Sequence, residues 1–283
     1  MKERLHKWLG VLGLLILTAS LLIAFFMEGR KFYTLFLLGS WMVLDYLNYR
    51  VIGSSLISYL MEKSHHYLIA VLMLMNSLFA FIVDYAYGVS IVGMWRWPHY
   101  GWLDWVFMLG FMTLFFCFVV YETFRLFQFL LSKEFHLKTK RRKHKILDKS
   151  LIYLGMVFLA IPLVNYFWLS NAYGNYLMIF AFIGIWFVCD SIAGYLGRET
   201  VMDMIIDGDK AAIFGILGAA LFLAVTHEFV NYFAGEWKYV NAPFHNVMIG
   251  NVPVSVLVGW IPLVIFCIAL INLVKALPSK IKD

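Results

Sequence analysis

Eight long apolar runs dominate this sequence and restrict what it can fold into. Each is about 20 residues long, the length that an α-helix needs to cross the hydrocarbon core of a bilayer. None alternates apolar and polar residues as barrel strands do, and a helix satisfies its own backbone hydrogen bonds in lipid. The sequence therefore predicts an all-α polytopic integral membrane protein with eight transmembrane helices. The runs lie at 8–26, 32–50, 67–86, 104–127, 150–170, 174–196, 211–233 and 252–276.

Positive charge predicts the orientation. Of the 23 Lys and Arg residues, all but Arg30, Lys31, Arg96 and Lys238 fall on the same side of the predicted membrane as the N-terminus. The positive-inside rule then places both termini in the cytoplasm, in the cell (inner) membrane. The basic run at 138–149 is interpreted as a topology determinant that contacts anionic membrane lipids. Because no nucleic-acid motif accompanies it, nucleic acid is not expected as a partner.

An internal repeat divides the chain. Segments 39–45 and 184–190 carry Gly, Trp, Val and Asp at matching places, and they are 145 positions apart. A similar offset relates Asp84 to Glu228 and continues into the loops that follow them. The pattern predicts two four-span repeats, 1–147 and 148–283. An even number of spans gives both repeats the same orientation, so they form a parallel repeat.

Two loops on the predicted outer side repeat a distinctive motif. One reads GMWRWPH at 93–99 and the other GEWKYVNAPFH at 235–245. Trp and Tyr favour the headgroup region, and a neighbouring base can bind lipid phosphate or lie over a ring. An ordinary aromatic belt, however, needs no fixed order of acid, tryptophan, base, aromatic residue, proline and histidine. The fixed order favours a site.

Ionisable residues inside spans are costly and are candidates for function. Asp84 and Glu228 are the candidate catalytic residues, because a carboxylic acid among apolar side chains can protonate an olefin or an alcohol. Tryptophan faces would stabilise the developing cation. Asn231, one helical turn after Glu228, is predicted to orient it. The candidate substrate-binding residues are Trp95, Trp97, His227, Asn231, Trp237 and Tyr239.

Two other interpretations of the same residues remain open. Three histidines, His99, His227 and His245, could bind a metal with the acids, but no ligand pair has the usual helical spacing. No metal and no soluble cofactor is therefore predicted. Alternatively, each acid forms an ion pair with the base of the loop that follows it. These pairs would be Asp84 with Arg96 and Glu228 with Lys238.

Other polar residues inside the spans are interpreted as structural. Asp45 and Asp190 lie near the inner ends of spans two and six, where they could bond a neighbouring helix terminus or an arginine. Asn76, midway along span three, is interpreted as an interhelical hydrogen-bonding residue.

An acid followed by Gly-x-Trp-x-aromatic and a new span resembles the membrane lycopene-cyclase domain and the related carotenoid hydratases. The resemblance implies acid-catalysed chemistry on a long polyene without a soluble cofactor. The Pro-x-Glu-Glu element of the cyclases is absent, and 102–105, with one acid, stands in its place. The acid and the motif that follows it are Asp84 with 93–97 and Glu228 with 235–239. In span eight, 253–255 and Gly259-Trp260 are similar to the proline and the glycine-tryptophan of the hydratases.

These observations predict a membrane protein that binds or converts a lipophilic isoprenoid or carotenoid-like molecule at an outer acid and aromatic pocket. A second hypothesis is a non-catalytic accessory subunit of a membrane protein complex, whose outer loops pack on a partner. A transporter is the third. The expected partners are membrane lipids, a lipophilic ligand and other membrane proteins.

Overall fold

The computed structural model describes residues 2–27, 31–61, 65–135, 148–169 and 174–277, and most of them are helical. Most of the basic run at 138–149 lies outside these ranges. Two π-helical segments, π1 (Phe81–Ile91) and π2 (Met108–Met112), continue α4 and α5 without a break. The helices are α1 (Lys2–Phe26), α2 (Tyr33–Ile52), α3 (Leu56–Leu60), α4 (Tyr67–Ala80), α5 (Trp102–Phe107), α6 (Thr113–Glu134), α7 (Asp148–Trp168), α8 (Gly174–Tyr195), α9 (Val201–Ile206), α10 (Lys210–Ala234) and α11 (Val254–Ala276).

Among the described residues, seven helical stretches are long and apolar enough to cross a membrane. They are α1, α4 with π1, α5 with π2 and α6, α7, α8, α10 and α11. The chain is therefore an all-α, multi-pass membrane protein. The predicted second span, α2, has 20 residues but is not among the seven. Its polar residues Asp45, Asn48 and Arg50 lower its hydropathy, and Asp45 and Asn48 are completely buried against other helices.

Glycines bring two pairs of helices into close contact. A Cβ atom on Gly39 of α2 would lie 2.9 Å from the carbonyl oxygen of Gly13 in α1. A Cβ atom on Gly184 of α8 would likewise lie 2.9 Å from the carbonyl oxygen of Gly155 in α7. Small residues allow backbones in a membrane to approach and gain van der Waals contact. The centre of the bundle is formed by α6, α10 and α11. The two pairs flank it, because α2 packs on α6 and α8 packs on α11.

The two short helices α3 and α9 lie at one end of the bundle, and each is anchored by a buried acid. Asp45 accepts a hydrogen bond from the backbone N–H of Ile57 at 3.1 Å. Asp190 accepts from the N–H groups of Val201, at 3.2 Å, and Met202, at 2.8 Å. Since the first N–H groups of a helix have no partner within it, these carboxylates satisfy them. Of the two possibilities left open for these acids, a helix terminus or an arginine, both acids bond a helix terminus.

The opposite end of the bundle carries the loops after π1 and α10, and we call it the aromatic end. Four two-residue strands lie there, in two antiparallel pairs. The strands are β1 (Trp95–Arg96), β2 (Lys238–Tyr239), β3 (Met248–Ile249) and β4 (Val252–Pro253). Strands β3 and β4 form a hairpin before α11, whereas β1 and β2 join loops that are far apart in sequence.

Candidate functional site

The two aromatic loops meet in an antiparallel ribbon. Trp95 pairs with Tyr239, and Arg96 pairs with Lys238. Arg96 and Lys238 occupy matching places in the two repeated motifs, so the ribbon is centred on a pair of equivalent residues. The backbone N–H of Val240 extends the contact by donating to the carbonyl of Met94 at 2.9 Å. The repeated motifs thus form one structure, above the ends of π1 and α10.

The first acid of the site is Asp84. It lies in π1, and one of its oxygens accepts a hydrogen bond from the indole Nε1 of Trp95 at 2.6 Å. The residue is half-buried, and its other oxygen has no hydrogen-bond partner among the described residues. Helical segments with π geometry are rare in proteins, and those that occur are often found at functional sites. Asp84 therefore keeps one oxygen available for a further contact.

The second acid, Glu228, is more enclosed. Its Oε1 accepts from the hydroxyl of Tyr239 at 2.7 Å and from Nε1 of Trp260 at 3.4 Å. Nε1 of Trp237 in turn donates to the Tyr239 oxygen at 3.1 Å. Glu228 is only 4% exposed, and its Oε2 has no partner among the described residues. A buried oxygen without a partner is costly, so its presence beside a cavity calls for a functional explanation.

Neither acid forms the ion pair that was considered from the sequence. Among the described residues, Asp84 has no salt bridge to Arg96 and Glu228 has none to Lys238. Both bases have exposed side chains, and the ribbon pairs them with each other through the backbone. The ion-pair interpretation of the repeated acid and base is therefore wrong, because indole and phenol groups take the place of the cations.

A cavity of about 210 Å³ lies beneath the ribbon and is lined by residues from both sequence-predicted repeats. Its wall is almost entirely apolar, apart from a few polar groups such as the two acids. Six of the eight sequence-predicted site residues line it, namely Asp84, Trp95, Trp97, Glu228, Trp237 and Tyr239. The ring of Trp97 lies 5.2 Å from that of Trp237, which joins the two halves of the aromatic wall. Apolar cavities with a few convergent polar groups are typical ligand sites.

The two remaining predicted residues, His227 and Asn231, lie outside the cavity wall. Instead of orienting Glu228, Asn231 bonds the backbone of Trp237: its Nδ2 donates to the carbonyl at 2.9 Å, and its Oδ1 accepts from the N–H at 3.1 Å. Nδ1 of His227 lies 2.7 Å from the hydroxyl of Tyr33, which does line the cavity. Both residues thus support parts of the wall from behind.

One important residue, Glu236, was missed by the sequence analysis. Its Oε2 accepts from the backbone N–H groups of Phe32 and Tyr33, both at 3.0 Å, and its Oε1 accepts from the hydroxyl of Tyr100 at 2.6 Å. Glu236 is completely buried. Burial raises its pKa, and the three hydrogen bonds oppose that shift. The sequence signal for Glu236 was its position inside the 235–245 motif. The corresponding residue of the other motif is Met94, so the repeat did not indicate an acid at this place.

The metal interpretation receives no geometric support within the described ranges. No group of three or more His, Cys, Asp and Glu side chains is arranged there to hold a metal ion. His99 and His245 have exposed side chains, whereas His227 is buried.

The Trp95 ring rests on Gly88, and this contact makes a test of the site possible. A Cβ atom at position 88 would lie 2.2 Å from Cζ2 of the ring. We expect Gly88→Ala to displace the indole, break its bond to Asp84 and destabilise the protein by about 1–3 kcal/mol. The measurement is the thermal unfolding midpoint in detergent.

The matched control for this substitution is Gly110→Ala. Gly110 lies in π2, and a Cβ atom there would meet nothing within 4 Å. Its midpoint should stay the same or rise slightly, because alanine favours a helix over glycine. Equal midpoints for the two variants would contradict the packing of Trp95 on Gly88.

Comparison with known proteins gives no assignment. No family model matches the chain, and neither a curated protein nor a solved structure matches it. Function is therefore argued from the residues of the site.

Proposed function

We propose that this protein binds or converts a lipophilic isoprenoid or carotenoid-like molecule in the cavity between its halves. The observation that carries the proposal is that Asp84 and Glu228 line one apolar cavity together with the aromatic residues of both repeated loops. A molecule dissolved in the bilayer would exchange lipid contacts for aromatic ones. It would at the same time reach two carboxyl groups.

The two acids suit different parts of such chemistry. Asp84 is half-buried and has an oxygen without a partner among the described residues, so it is the group placed to contact a ligand directly. Glu228 holds Oε1 toward two donors, which leaves Oε2 as the oxygen that would carry a proton. The faces of Trp95, Trp97, Trp237 and Tyr239 would stabilise positive charge that develops on a polyene. His227 and Asn231 would act indirectly, by supporting the wall.

The test is to purify the protein from its native membrane and to analyse what comes with it. An absorbance spectrum and a lipid extract should show a bound isoprenoid or polyene. The double variant Trp97→Ala/Trp237→Ala should lose most of it, because those rings join the two halves of the wall. Stoichiometric protein subunits without any lipophilic ligand would contradict the proposal and favour the accessory-subunit alternative.

We also propose the finer architecture of eight spans in two parallel repeats, with both termini in the cytoplasm of the cell membrane. Support comes from equivalent contacts about 145 positions apart. The Gly13–Gly39 contact has its counterpart in the contact of Gly155 with Gly184. The acids that anchor α3 and α9 form a second such pair. In this arrangement α2 is a span whose buried polar residues, Asp45 and Asn48, face other helices.

The orientation has a direct test. A reporter fused after Lys143, which lies outside the described residues, should be cytoplasmic. One inserted at Asn241, in the loop after β2, should be outside. The charge asymmetry of the sequence is the physical reason. If both reporters were found on one side, the eight-span model would be wrong.

A further inference from the structure

Three side chains of the cavity wall, Trp97, Glu228 and Asn76, have a buried polar atom without a partner among the described residues, and Asn76 lies far from the acids. Asn76 of α4 is 3% exposed. Its Oδ1 accepts a hydrogen bond from the thiol of Cys117, but its Nδ2 has no partner among the described residues. An interhelical hydrogen-bonding residue would use both ends of the amide, so the contact to Cys117 accounts for only half of this side chain.

Asn76 lies well below the acids. It precedes Asp84 by eight residues in one continuous helical stretch, Tyr67–Ile91. At the rise of an α-helix, that separation is about 12 Å along the helix axis. Phe79, Phe116 and Phe266 are apolar and line the same cavity. The cavity therefore has a polar end near the ribbon and a single amide toward the middle of the membrane.

An amide donor buried in hydrocarbon is costly unless something accepts its hydrogen bond. The helix that matches α4 in the second half has Ala220 at the corresponding place, 144 positions on. The repeat thus does not require an amide at this depth. The Asn76 Nδ2 is a hydrogen-bond donor beside an apolar cavity, and no described residue accepts its hydrogen bond. A ligand in the cavity could supply the acceptor.

We infer that the ligand is an elongated lipid with two oxygen functions, one received near Asp84 and Glu228 and the other by the amide of Asn76. A hydroxyl or carbonyl group at mid-membrane depth would supply the missing acceptor. The inference rests on the proposed function, since it requires that the cavity take a lipid. It narrows the class of ligand from any apolar chain to one that carries an oxygen near the two acids and another near Asn76.

The experiment compares straight-chain α,ω-alkanediols with 1-alkanols of the same length. Chain lengths from about eight to about twelve carbons bracket the axial separation of about 12 Å. Binding of the tritiated alcohols to the purified full-length protein in detergent is measured by scintillation proximity. The second hydroxyl should weaken binding if it enters an apolar wall, because it loses its water. It should strengthen binding if Asn76 receives it.

We expect wild type to bind the diol of best length about three- to tenfold more tightly than the matching monoalcohol, as one added hydrogen bond allows. Asn76→Leu, a change to a similar shape, should abolish this preference, so that the variant binds the diol no more tightly than the matching monoalcohol. The neighbouring variant Ser77→Ala, outside the cavity wall, should keep the preference.

Three outcomes would overturn the inference. If wild type prefers no diol at any chain length, or if Asn76→Leu keeps the preference, Asn76 does not receive an oxygen and only this inference fails. If neither diols nor monoalcohols bind wild type, the cavity is not a lipid site and the proposed function fails with it.

Discussion

Replacing Glu228 with glutamine should lower conversion of the bound lipid by about a hundredfold or more, while the protein still folds and inserts. Glutamine keeps the shape of the side chain and an oxygen that accepts from Tyr239 and Trp260. It lacks the proton that Glu228 would transfer. The measurement is the rate of product formation in membranes, followed by absorbance of the extracted lipid. An undiminished rate would contradict the role of Glu228 as an acid.

A double-mutant cycle provides the control and needs no knowledge of the substrate. Because the structure contains no ion pair between Glu228 and Lys238, the variants Glu228→Gln and Lys238→Met should have additive effects on stability in detergent. Lys238 is exposed, so its own replacement should change little. A coupling above about 1 kcal/mol would show that the two residues interact, and the catalytic role of Glu228 would then be given up.

Replacing Glu236 with leucine should destabilise the protein by about 3 kcal/mol or more. The substitution leaves three donors without an acceptor, namely the buried N–H groups of Phe32 and Tyr33 and the half-buried hydroxyl of Tyr100. Burial raises the pKa of Tyr100, so its hydroxyl stays protonated and keeps its need for an acceptor. Glu236→Gln retains one acceptor oxygen and should lose roughly half as much. The measurement is thermal or denaturant unfolding in detergent.

The matched control is Asp104→Asn, which affects an acid of the same end of the molecule. Asp104 forms an ion pair with Lys31 at 2.5 Å, but both side chains are partly exposed. Exposed ion pairs contribute about 0–1 kcal/mol, so this variant should be close to wild type in stability. If Glu236→Leu were as stable as Asp104→Asn, Glu236 would not be the acceptor that holds the start of α2.

The helical, multi-pass class could be predicted from the sequence because lipid imposes it locally. A run of about 20 apolar residues must satisfy its own backbone groups wherever it lies, so no long-range information is needed. The exception, α2, is less apolar than the seven other stretches because it carries Asp45, Asn48 and Arg50, and the first two of these are buried against other helices. Their burial depends on neighbours distant in the chain. Six candidate site residues that line one cavity could also be predicted from the sequence, because the order of acid and aromatic residues is repeated in the chain.

The hydrogen-bond partners were decided only by the tertiary structure. The sequence placed a base beside each acid, but the fold turned Arg96 and Lys238 outward and brought indole and phenol groups to the carboxyls. Glu236 bonds Phe32, which lies 204 positions earlier. Hydropathy measures the preference of each residue for water or for lipid, and it is evaluated one segment at a time. Which donor reaches which acceptor depends on how the helices pack, and only the folded chain brings such distant groups within 3 Å of each other.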